Sequence, residues 1–139
     1  MYTKILVAND GSAGGQKALT AAIELARQLS AELHMAMVEE LPRIPASIDE
    51  VAEEKAEANH RFAPVIETVK AQAQRAGVTI EIHLVPGHVV EAIVRLINER
   101  GFGLLVAGFM GHSQLYERII GGTTDRLVRL APCSVLVVK

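Results

Sequence analysis

The chain has one cysteine and no tryptophan, and aromatic residues make up 4% of it. A lone Cys133 excludes an intramolecular disulfide framework, and with it the usual device of small secreted domains. The sparse aromatics and the lack of any Lys/Arg cluster argue against nucleic-acid binding, which relies on stacking platforms and basic stripes. Net charge is −2 with both signs interspersed, so no field of one sign selects a partner. No apolar run approaches the length of a membrane span. The first residues, Met-Tyr-Thr-Lys, lead at once into a strand, with no room for a signal peptide. These absences together predict a cytoplasmic protein.

Half of the 139 residues are hydrophobic, enough for one sizeable core, and a single domain over residues 1–139 is expected. Ile5-Leu6-Val7-Ala8 reads as a strand buried on both faces, ended by the turn cluster Asn9-Asp10-Gly11-Ser12. Ala18, Ala22, Ile23, Ala26 and Leu29 form the stripe of a helix from Ala13 to Leu29. Glu32–Val38 follows as a second strand. Ser47 and Glu50 have capping-box spacing, so a long helix should start there and stop at Gly77. Pro64 within that span predicts a kink or break near Arg61. Val78–Val85 is a β-branched third strand closed by Pro86-Gly87, and Val89, Ile93, Leu96 and Ile97 mark a helix ending near Gly101. Leu104–Ala107, a helix over Arg126–Leu130 and the strand Ser134–Val138 complete the chain.

Five apolar strands alternating with four helices predict an α/β fold, a three-layer doubly wound sandwich around a five-stranded parallel sheet. With right-handed crossovers the expected order is 3-2-1-4-5. Ligands of such sheets sit at the carboxyl ends of the strands where the winding reverses, here between the first and fourth. The connections leaving those two strands are Asn9–Ser12 and Gly108–Gly122, the richest in glycine. A strand, a glycine-bearing loop and a helix N-terminus can hold phosphate, because free N–H groups and the positive helix end face the anion. Glycines also serve plain turns, and Asp10 could equally cap the helix that follows it. The last strand lies at an edge with only Lys139 to guard it, which predicts a homodimer through Ser134–Val138.

Neither Gly-x-x-x-x-Gly-Lys-Ser/Thr nor Gly-x-Gly-x-x-Gly after the first strand is present. The chain instead spells Gly108-x-x-Gly111, nine residues, then Gly121-Gly122-Thr123-Thr124. With Lys4-Ile-Leu-Val-Ala-Asn-Asp-Gly-Ser before it and Ala131-Pro-Cys-Ser-Val-Leu-Val-Val-Lys after it, this resembles the universal stress protein family over the whole chain. The resemblance implies a cytoplasmic stress-response protein, dimeric through its last strand, that binds ATP or another adenine nucleotide such as AMP. It implies that Asp10, with Ala8 and Asn9, and the backbone at Val38 face the adenine and ribose. It also implies that Gly108, Gly111, His112, Gly121, Gly122, Thr123 and Thr124 surround the phosphates. Where the family usually has Ser or Thr after the third glycine of the motif, this chain has Gly122.

A receiver domain of similar topology would need an Asp after the third strand, where Pro86-Gly87-His88 stands. A serine hydrolase would need a second small residue where Leu115 follows Gly111-His112-Ser113. Phosphoryl transfer needs a cation on the β/γ-phosphates and carboxylates for magnesium. The loop has no lysine, and only Asp10 and Asp125 are candidate magnesium ligands. The expected role is therefore a sensor or regulator rather than a dedicated enzyme, with at most slow ATP hydrolysis. The alternative is a nucleotide-independent dimeric module that regulates a partner protein. His34, His60, His83, His88 and His112 show no short ligand spacing, so no metal site is expected; His34 and His83 read as packed or rim residues within strands.

Overall fold

The computed structural model of the chain describes residues 1–40, 48–109 and 122–139, with backbone alone at 48, 49, 51 and 54–59. The elements are β1 Lys4–Ala8, α1 Ala13–Leu29, β2 Glu32–Glu40, α2 Ile48–Arg75, β3 Ile80–Gly87 and α3 Val89–Arg100. They are followed by β4 Leu104–Gly108, α4 Thr123–Leu130 and β5 Ser134–Val138. All strand pairs are parallel, in the order β3-β2-β1-β4-β5. The expected sheet and its four helices are therefore present.

Alternation along the strands divides the core in two. Ile5, Val7, Leu33, Met35 and Met37 point to one face, where Ala18, Leu19, Ala22, Ile23 and Ala26 of α1 and Phe62, Val69 and Ala73 of α2 cover them. Leu6, Ala36, Leu105 and Ala107 point to the other, under Val90, Ile93, Leu96 and Ile97 of α3 and Leu127 of α4. Full burial of each large side chain contributes about 1.5–3 kcal/mol, so both layers are needed to hold the sheet. Leu29, expected in the α1 stripe, is exposed at the end of its helix.

Local signals set most of the ends. Ser12 caps α1, its Oγ accepting the Gly15 N–H at 3.1 Å. Gly101 closes α3 in the left-handed region at φ 71°, donating to the Ile97 carbonyl.

Three expectations are corrected. α2 runs through the exposed Pro64 as one helix, so of the expected kink or break near Arg61 the break does not occur. Phe62, Val69 and Ala73 lie on one buried face on both sides of the proline, and that packing outweighs the lost helical hydrogen bond. β3 begins at Ile80, because the Val78 N–H is held by the Ala73 carbonyl at 2.9 Å as the chain leaves α2. It continues through Pro86 and Gly87, which pair with Glu39 and Glu40 and so lengthen β2 beyond Val38. An edge strand tolerates a proline. Finally, α4 starts at Thr123, which puts both threonines in its first turn. Ser47 of the expected capping box lies outside the described residues. Cys133 packs as a small apolar group beside the α3 layer, where burial pushes its thiol pKa up.

Candidate functional site

β1 and β4 are neighbours, paired from Ile5–Leu104 to Val7–Val106. The chain leaves β1 toward the α1 face and leaves β4 toward the α4 face, so a crevice opens between their carboxyl ends.

At the β1 side, Ala8 is half-buried and Asn9 is buried. The Asn9 N–H donates to the Ala36 carbonyl at 3.1 Å, and its Oδ1 accepts from the Gly11 N–H at 2.9 Å. Asp10 Oδ1 accepts from the Ser12 N–H at 2.9 Å. Two consecutive side chains thus fold back on the turn, and Gly11 supplies the positive φ of 83° that it requires. The helix cap that Asp10 could have supplied comes from Ser12 instead, and the Asp10 residue is exposed. Val38 is half-buried at the carboxyl end of β2, packed on the α3 side.

At the β4 side, Gly108 approaches the first turn of α1 so closely that a Cβ there would stand 2.6 Å from the Gly14 carbonyl carbon. The fold itself therefore requires this glycine, a demand signalled in sequence only by the Gly14-Gly15 pair. The Phe109 N–H donates to the Val138 carbonyl at 2.9 Å, carrying the β4–β5 pairing past the strand end. Thr124 Oγ1 donates to the Gly108 carbonyl at 2.6 Å and fixes the start of α4 beside the end of β4. Gly122 is the N-cap of α4, extended at φ −73° and ψ −161°, and gives no side-chain cap. The first N–H groups of a helix have no partner within it, so this end presents donors and a partial positive charge. Thr123 is exposed and Thr124 half-buried.

Arg126 lies 3.4 Å from Glu91 and Arg129 lies 3.1 Å from Asp125, so both guanidinium groups of α4 are paired with carboxylates. Gly111, His112 and Gly121 lie outside the described residues. The crevice thus gathers Ala8, Asn9, Asp10, Gly108, Gly122, Thr123 and Thr124, with Val38 one strand further across. Two hollows lie elsewhere among the described residues, about 400 Å³ beside Lys70, Gln74 and Val78 and about 200 Å³ beside Val85, Arg95 and Glu99. Neither takes in the turn after β1 or the N-terminus of α4.

The family model for the universal stress protein family matches residues 1–139. The chain belongs to that family. Among other universal stress proteins it is similar to YxiE of Bacillus subtilis, 31% identical over 151 residues that take in the whole of both chains. A universal stress protein solved in complex with cAMP is 27% identical, with a TM-score of 0.79 over 99% of this chain and 97% of that one. A universal stress protein family structure from Burkholderia pseudomallei is 32% identical, with a TM-score of 0.73 over 99% of this chain and 96% of that one. In this universal stress protein, no helix among the described residues is long and apolar enough to cross a membrane.

Proposed function

We propose that the crevice between the ends of β1 and β4 binds an adenine nucleotide, ATP in the first instance, and that the protein acts as a sensor or regulator in stress response. The reading rests on one observation above others. The uncapped N-terminus of α4 is pinned by Thr124 beside β4, across the winding reversal from the Asn9–Asp10 turn. Donors for phosphate and acceptors for ribose or adenine then share one opening. The cAMP complex of a relative supports the ligand class. By this reading Ala8, Asn9, Asp10 and Val38 meet the nucleoside, while Gly108, Gly111, His112, Gly121, Gly122, Thr123 and Thr124 line the phosphates. Binding rather than catalysis, a cytoplasmic location and a homodimer through β5 belong to the same proposal.

The test is mass analysis of small molecules released on denaturing the purified protein, together with calorimetric titration by ATP, AMP and cAMP. Recovered nucleotide, or a heat of binding, is the expected result.

Gly122→Ser gives a sharper measure. The backbone at Gly122 is extended and accepts any residue, and the new hydroxyl would supply a hydrogen bond to a charged phosphate. Such bonds contribute about 1.5–3 kcal/mol, so ATP affinity should rise about tenfold or more while adenosine affinity stays unchanged. A variant that gains only a few tenths of a kcal/mol in stability would mean that the serine simply caps α4.

A second reading is favoured by Gly108, whose smallness is already explained by its approach to Gly14. The protein would then be a dimeric module that regulates a partner without nucleotide. Repeated failure to recover nucleotide, with no heat on titration, would select it.

A further inference from the structure

Toward the amino ends of the strands, opposite the crevice, β2–β3 register sets His34 beside Glu81 and His83 beside Ala36, two residues further on. The alternation places all of these on the α3 face. The His34 side chain is 2% exposed, that of His83 10% and that of Glu81 56%. His34 Nε2 lies 2.6 Å from Glu32 Oε1, and an ionised carboxylate only accepts. His34 therefore carries its proton on Nε2. Its Nδ1 faces His83 Nε2 at 2.8 Å and Glu81 Oε2 at 3.3 Å.

The two imidazole planes are within 1° of parallel, with centroids 5.1 Å apart. Since two ring nitrogens are only 2.8 Å apart, the rings meet edge to edge and share a hydrogen, the His83 Nε2–H donating to the unprotonated His34 Nδ1. His34, His83 and Glu81 thus each offer one ligand atom, and these atoms lie within 4.8 Å of one another.

We propose that His34 Nδ1, His83 Nε2 and the Glu81 carboxylate bind a borderline transition-metal dication of the zinc class, with Glu32 orienting His34. Two imidazoles and a carboxylate form a ligand set suited to such ions, with water or an external ligand in the fourth position. Ligand atoms around tetrahedral zinc stand about 3.3 Å apart, given bonds of about 2.0–2.1 Å. Here His34 Nδ1 and His83 Nε2 are 2.8 Å apart, and Glu81 stands 3.3 Å from the first through Oε2 and 4.0 Å from the second through Oε1. The His83 ring must therefore turn, and the exposed carboxylate must close in by about half an ångström or more. The Glu32–His34 pair is the carboxylate–histidine arrangement that fixes a metal-binding tautomer. His83 binds in the tautomer protonated at Nδ1. Arg100, 3.9 Å from Glu81, is the cation that the metal replaces, and both side chains are exposed enough to part. Lys4 is engaged by the Arg100 carbonyl and the Phe102 ring.

The experiment strips the full chain with chelator and titrates it with Zn²⁺ by calorimetry, and with Co²⁺ by its visible absorption. One equivalent is expected. Glu81→Gln and His83→Asn, at partly accessible positions, should each lower affinity by at least about 100-fold, and Glu32→Gln by about 10–100-fold. Zinc should raise the thermal midpoint of the wild type but not of the His83 variant. Circular dichroism of each variant checks its fold. No binding at millimolar zinc overturns the proposal, and so does equal affinity in both ligand variants, which would assign the metal to other surface histidines. A cobalt spectrum with thiolate charge transfer, pointing to Cys133, overturns it as well.

Discussion

Gly111→Val is expected to abolish nucleotide binding, with an affinity loss of at least about 100-fold, while the dimer stays intact. The phosphate reading needs backbone N–H groups to come within hydrogen-bond reach of oxygen, and a residue without Cβ permits that approach. A valine would place two methyl groups where the phosphates are proposed to sit. It would also replace one charge-assisted contact with a steric clash, and each 1.4 kcal/mol lost is a factor of ten. Gly111 lies outside the described residues, and its part rests on its spacing from Gly108 and the family pattern. Titration with ATP measures the loss, and sedimentation at micromolar concentration measures the assembly. Normal ATP binding by the variant would refute the proposed pose. A monomeric wild type would refute the pairing through β5.

Gly108→Ala should behave in the opposite way, harming the fold whether or not nucleotide is present. A Cβ at 108 would meet the Gly14 carbonyl carbon at 2.6 Å, well inside the roughly 3.5–4.0 Å at which carbon atoms rest. The obstacle is backbone in the first turn of α1, held by the Ser12 cap, and no rotamer change relieves it. Overpacking of this kind costs about 1–3 kcal/mol, and a backbone obstacle places it at the upper end. A drop of about 3 kcal/mol in stability, or roughly 6–12 °C in the melting midpoint, is expected without ligand. An unchanged midpoint would mean that α1 can move away from β4 freely. The two substitutions together separate a glycine kept for a ligand from one kept for packing.

Strand order was legible because Ile5–Ala8 and Leu104–Ala107 are unbroken apolar runs, which only a sheet covered on both faces can bury. Helix ends were legible where a side chain or a left-handed residue acts locally, as at Ser12 and Gly101. What local sequence does not contain is competition with distant packing. Pro64 is a breaker by itself, but Phe62 and Val69 dock both of its flanks on the sheet. Val78 has strand propensity, yet the end of α2 holds its N–H. The crevice was placed by topology, whereas the reason for Gly108 depends on Gly14 across the reversal. His34 and His83 stand 49 positions apart, and only β2–β3 register makes them neighbours.

The two borders of the sheet differ, since Pro86 breaks the run of N–H donors along β3 while β5 has no proline at all. A molecule with two open borders could add copies without limit and grow into a filament. With one border blunted, the proposed pairing would join β5 to β5 about a two-fold axis and use up the unbroken border of each copy. If copies pair through β5 as proposed, the proline disfavours further growth through β3.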